Sequence, residues 1–145
     1  MITNNPHSLF LIMNNLALFG WVLLIAFPNW KGTRWVVLNG ALSIFMSVVY
    51  LSIIVFMMPQ TDGGFSSLEQ VSKLFDNPYA LLAGWVHYLA FDLFIGAWAL
   101  QDSRQYQINH FVMVPVLLLT FILGPIGLLT YFILRRGIQF KRAQG

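Results

Sequence analysis

The sequence contains no cysteine, which excludes disulfides, zinc–thiolate sites, iron–sulfur clusters and thiol catalysis. Charge is also scarce. Only 9% of the 145 residues are charged, against about 25% in a typical soluble domain. So few charges cannot build a water-facing surface. HExxH, serine-hydrolase and phosphate-loop signatures are missing as well. The N-terminal MITNNPHSLF lacks basic residues and a small-residue cleavage site, so no removable signal peptide is expected.

What remains is apolar: 58% of residues are hydrophobic and 16% aromatic. A helix needs about 20 apolar residues to cross the hydrocarbon core. Four stretches qualify, at residues 8–27, 35–58, 78–100 and 111–134. The expected fold is all-α: one transmembrane domain forming an integral membrane four-helix bundle. Between spans two and three, SSLEQVSKLF opens with Ser66 and Glu69 in capping-box spacing. Phe65, Leu68, Val71, Leu74 and Phe75 recur at helical spacing, which predicts a short amphipathic helix on the membrane surface.

Four crossings put both termini on one side. The basic tail of Arg135, Arg136, Lys141 and Arg142 marks that side as cytoplasmic, while the basic first loop, with Lys31 and Arg34, argues the reverse. A tail directly after a span reads as an anchor at anionic lipid, so nucleic acid is not an expected partner.

Membrane helices turn polar groups away from lipid. In span two, Asn39, Ser43, Ser47 and Tyr50 form one narrow stripe. Thr120, Gly124, Gly127 and Tyr131 do the same in span four. In span three, Trp85, Tyr88, Asp92, Gly96 and Ala99 share a face, with His87, Phe91 and Phe94 to one side. At about 1.5 Å of rise per residue, two polar tiers result. The outer tier holds His87, Asn14 and Tyr50; the inner holds Asp92, Ser47 and Thr120.

Asp92 in so apolar a run is costly as a free charge. A neutral carboxylic acid donating a hydrogen bond fits as well as a carboxylate. His87 lies five residues away, about 140° around the helix, so the two flank a ligand rather than face each other. A purely structural role, Asp92 bonded to Ser43, Ser47 or Thr120, stays open. Pro125 removes the helix partner of the Phe121 carbonyl, which then needs another donor. The three histidines lie too far apart in depth to share a metal or a haem, so no metal or cofactor is expected. The aromatic side chains suit either plain packing or a slot for a flat polyene entering from the lipid.

Residues 84–94 (GWVHYLAFDLF) lead to Gly96 and Trp98, a polar loop with Asp102 and His110, and a last span with Gly124-Pro125 and Gly127. Asn77-Pro78 precedes the third span. Together, with Trp85, His87, Asp92, Leu93 and Phe94 at their centre, these resemble the abscisic-acid-deficient-4-like family of small four-helix membrane proteins. Its plant members are required to make neoxanthin from violaxanthin. The resemblance implies a carotenoid-type substrate and an isomerisation of an epoxide to an allenic alcohol. Such a reaction needs a proton donor at oxygen and a base at carbon. His87 and Asp92 are the expected acid–base residues. Asn14, Ser43, Ser47, Tyr50, Trp85, Tyr88, Thr120, Gly124, Pro125 and Gly127 are expected to line the ligand. A non-enzymatic assembly subunit, a homo-oligomer and a small proton or solute transporter are the open alternatives.

Overall fold

The structure is a computed structural model that describes residues 5–57 and 63–144, and it is all-helical. The end of the second predicted span at Met58 and the PQTD of the following loop lie outside the described residues.

Helix α1 (Pro6–Ala26) starts where Asn5 caps the His7 N–H and Pro6 occupies the first turn, which lacks backbone partners anyway. After Pro28 the chain re-enters helix at α2 (Lys31–Thr33) and passes into a π-turn (Arg34–Leu38). The predicted second span is not continuous there. Gly40 takes φ 78°, a left-handed conformation that glycine adopts without a Cβ clash. Gln101 Nε2 donates to the Leu38 carbonyl just before this break, at 2.9 Å. Helix α3 (Ala41–Ser52) continues into a second π-turn (Ile53–Met57). The short helix α4 (Leu68–Phe75) begins one residue later than the sequence suggests. Its cap is Ser67, which accepts from the Gln70 N–H, while Ser66 donates to the Gln70 side chain. Of its apolar stripe, Leu74 is buried against the protein, whereas Phe65 and Leu68 point outward.

Helix α5 (Pro78–Gln105) is the axis of the molecule. Its 28 residues extend about 42 Å. Asn77 caps it by accepting from the Tyr79 and Ala80 N–H groups. Helices α1 and α3 pack along it, and α6 (His110–Leu123) and α7 (Pro125–Ala143) cover its C-terminal half. Gly96 lets the Trp21 indole lie against α5: a Cβ there would stand 2.5 Å from Trp21 Cη2. One core cluster gathers Trp21, Leu24, Leu93, Met113 and Leu117; the other gathers Met13, Met46, Val86 and Leu89. The segments Pro6–Ala26, Lys31–Phe56 and Pro78–Gln105 are long and apolar enough to cross a membrane.

The fourth predicted span differs from expectation. It is two helices, not one. At Gly124 (φ 34°, ψ −89°) the chain reverses, and α7 returns along α6. The path is fixed by long-range bonds. Tyr88, in the middle of α5, reaches the end of α6 at Phe121, whereas Tyr131, Arg135 and Arg142 of α7 reach Asp102, Tyr106 and Gln107 at the end of α5. The 14 residues of α6 span about 21 Å, less than the ~30 Å hydrocarbon core. The described chain therefore ends at the C-terminal end of α5, while the start of α1 lies beside Pro78 at the other. The expectation of both termini on one side fails because the last stretch turns back.

Gly127 makes this reversal tight, because a Cβ there would collide with the backbone and hydroxyl of Thr120. Gly127→Ala is expected to lower unfolding stability by about 1–3 kcal/mol, since backbone cannot step aside as a flexible side chain can. Gly137→Ala on the same helix, where nothing lies within 4 Å, is the control and is expected to stabilise slightly. Thermal unfolding in detergent compares the two; equal melting temperatures would contradict the tight hairpin.

Candidate functional site

The polar residues of α5 are divided between two neighbourhoods because its faces meet different partners. Toward α3 stand His87, Phe91 and Phe94. His87 stacks on Phe91 at 4.5 Å between ring centroids and lies 5.7 Å from the Tyr50 ring. Tyr50, Gly84 and His87, with Phe65, Leu74 and Phe75 of the α4 segment, line a cavity of about 220 Å³. Next along the same seam, a groove of about 310 Å³ is lined by Asn39, Gly40, Ser43, Ser47, Phe91 and Phe94. Phe91 adjoins both. In the groove floor, Ser47 donates back to the Ser43 carbonyl at 2.9 Å. That i−4 bond is the ordinary way a serine is satisfied inside an apolar helix. Ser43 is 7% exposed, and its hydroxyl has no hydrogen-bond partner among the described residues.

On another face of α5, Trp85, Tyr88 and Asp92 run from its first half toward the tip of the α6–α7 hairpin. Trp85 Nε1 donates to Asn14 Oδ1 at 2.9 Å, and its ring packs on Phe10 and Tyr88. The Tyr88 hydroxyl lies 3.4 Å from the Phe121 carbonyl, the acceptor that Pro125 leaves without a helical donor. The Asp92 carboxyl is packed against Gly124 and interacts with the Tyr88 hydroxyl, while its buried Oδ2 makes no hydrogen bond of ordinary geometry among the described residues. It lines neither cavity on the α3 side. Thr120 is fully buried, and its hydroxyl is committed to the Val116 carbonyl.

The structure thus brings together Ser43, Ser47, Tyr50 and His87, and separately Asn14, Trp85, Tyr88, Asp92, Gly124 and Pro125. His87 and Asp92 do not share a neighbourhood. The proposed tiers fail for the same reason: depth was legible, but direction around α5 splits each tier. Asp92 is not stapled to Ser43 or Ser47, which lie toward a different helix. Thr120 and Gly127 pack directly against each other within the hairpin. Among the described residues no three His, Cys, Asp or Glu side chains gather. His110 instead pairs with the Ile25 carbonyl at 2.8 Å.

Two features escaped the sequence reading. Phe91 and Phe94, expected beside His87, form the wall of the α3-side groove but are not among the site residues expected from the sequence. The second is a cluster around Asp102. It accepts from Tyr131 at 2.5 Å and pairs with Arg135 at 3.1 Å. Arg135 also lies over the Tyr106 ring, 4.6 Å from its centroid. A fourth crossing would have placed Arg135 at the opposite end of the bundle, which hid this pairing.

A family model described as ABA DEFICIENT 4-like matches residues 8–131. The chain belongs to this family. The match takes in both polar neighbourhoods of this ABA DEFICIENT 4-like chain and closes at Tyr131, within the returning helix. No curated protein and no solved structure matches it.

Proposed function

We propose that the chain is an integral membrane protein that holds an elongated, carotenoid-type isoprenoid in the α3–α5 groove and isomerises its end group beside His87. The observation that carries this reading is the groove itself. Phe91 and Phe94 give it aromatic walls, and the only buried hydroxyl on its floor without a partner among the described residues is that of Ser43. Flat apolar walls suit a polyene, and one or two polar groups fix its register. The groove leads to the His87–Tyr50 pair.

The chemistry needs no net oxidation. A base removes a proton from carbon, and the released electron pair forms the new double bond. The neighbouring carbon–oxygen bond of the epoxide then opens, and the oxygen takes up a proton. In this reading His87 is the base and the Tyr50 hydroxyl the donor. Asp92, on another face of α5, does not take part in the step. Helices α1, α2–α3 and α5 cross the bilayer, the α6–α7 hairpin enters from one side only, and α4 lies on the opposite surface.

The test is purification from a carotenoid-producing host in mild detergent, followed by absorption spectroscopy and extraction. A stoichiometric polyene is expected. Ser47→Trp, which fills the groove, should remove the polyene band while leaving the helical content unchanged. His87→Phe should keep the band and abolish conversion. Absence of a polyene from the folded wild-type protein would sink the proposal. Unchanged conversion in His87→Phe would remove His87 from the step, and a wild-type protein that binds the polyene without converting it would be a non-enzymatic binding subunit.

A further inference from the structure

A helix that stops inside an apolar environment leaves carbonyl oxygens without donors. At the end of α6 this happens twice. The Phe121 carbonyl would pair with the backbone N–H of residue 125, but proline has none. The Ile122 carbonyl would pair with residue 126, but the chain has left the helix axis at Gly124. The Tyr88 hydroxyl is the described donor nearest both, at 3.4 and 3.5 Å, the outer limit of a hydrogen bond.

Asp92 sits at the same turn. A Cβ built on Gly124 would lie 2.7 Å from Asp92 Oδ1 and 2.9 Å from Oδ2. Oδ2 is buried and makes no hydrogen bond of ordinary geometry among the described residues, with the Tyr88 hydroxyl the side chain that interacts with this carboxyl. Carboxylate, phenol and two carbonyl oxygens therefore converge on the C-terminal end of α6, the negative end of its dipole. Neither α1, α6 nor the first ten residues of α7 carries a lysine or arginine. Arg135, further along α7, is engaged with Asp102 and Tyr106. The cluster is thus rich in acceptors, with no protein cation beside it among the described residues.

We propose that this cluster is a monovalent-cation site. Asp92 is its charged ligand; the Phe121 and Ile122 carbonyls and the Tyr88 hydroxyl are its neutral ones. The donor set is all oxygen, which selects a hard ion. A single carboxylate balances one positive charge, whereas a divalent ion is usually held by more carboxylates or retained water. Broken helices whose C-terminal carbonyls face a buried acid bind ions by this same physics. The site is independent of the isoprenoid groove, being built on a different face of α5.

The test uses the full-length protein purified in choline chloride. NaCl, KCl or LiCl is titrated at constant ionic strength, and the thermal unfolding midpoint is recorded. One of these ions is expected to raise the midpoint saturably. Asp92→Asn should lose the rise. Tyr88→Phe should raise the half-saturating concentration roughly tenfold, the loss of one ligand worth about 1.4 kcal/mol. Identical midpoints in all salts overturn the proposal. So does an ion-dependent rise that survives in Asp92→Asn, or a midpoint that responds to pH but to no ion, which would mark a protonated acid only. If Asp92→Asn does not fold, Tyr88→Phe decides, and an unshifted half-saturation overturns the site.

Discussion

A reporter fused to the C-terminus is expected to lie in the cytoplasm, and the same reporter fused to the N-terminus outside it. The described chain starts and stops at opposite ends of α5 because α7 turns back rather than crossing. That reversal also redistributes charge. Arg104 bonds the Pro28 carbonyl, so the first loop, with Lys31 and Arg34, lies at the C-terminal end of α5. Arg135 and Arg142 of α7 bond residues of that same end. Every lysine and arginine except Lys73 then belongs to one side. Cytoplasmic loops carry the excess of Lys and Arg, so that end is expected to be the cytoplasmic one. The conflict between basic tail and basic first loop disappears, since both are on the same side. Paired fusions of a reporter active only in the cytoplasm and one active only outside it give the answer. Termini found on the same side would refute the re-entrant hairpin in the membrane.

Asp102→Leu is expected to be the most damaging single substitution at the loop end of the hairpin. Asp102 accepts from Tyr131 and pairs with Arg135, and its side chain is only 14% exposed. Removing it leaves a largely covered guanidinium without its anion and a buried phenol without its acceptor. Breaking a fully buried pair costs about 3–5 kcal/mol. Arg135 keeps some solvent contact, 25% exposed, and its contact with Tyr106, so a loss of about 2–3 kcal/mol is expected. Asp102→Asn should cost less, because it still offers Tyr131 an acceptor oxygen. The double variant Asp102→Leu with Arg135→Leu should recover part of the loss, since no charge is then stranded. Denaturant unfolding of wild type, Asp102→Leu, Arg135→Leu and the double variant measures the coupling. A single variant as stable as wild type would mean that this pair does not hold α7 to α5.

Much of the local structure was legible residue by residue. Asn5-Pro6 and Asn77-Pro78 announce helix starts because a short acceptor side chain followed by proline suits a first turn on both counts. The Ser66–Glu69 spacing placed α4 one residue early because Ser67 offers an equivalent hydroxyl and sits in extended backbone. Tyr50 stands beside His87, whereas Ser43 and Ser47, expected at the level of Asp92, line the α3-side groove with Phe91 and Phe94. The Asp92 Oδ2 is buried against the protein. What it meets was not readable: the turn at Gly124 becomes its neighbour only once the chain has folded back.

The amino-acid order alone settled that the chain is helical, that it holds apolar stretches long enough to cross a bilayer, though it counted four where three helices are long enough, and which side chains share a helical face. It settled these because helix periodicity, caps and apolar length are local properties. Whether the last apolar stretch crosses or returns was decided by tertiary structure. Lipid and protein interior are both apolar, so hydropathy scores a hairpin arm and a spanning helix alike. The sequence GPIG allows either a kink or a reversal. The choice is made by contacts many residues away: Gly127 against Thr120, Tyr131 and Arg135 on Asp102, and Asp92 beneath Gly124.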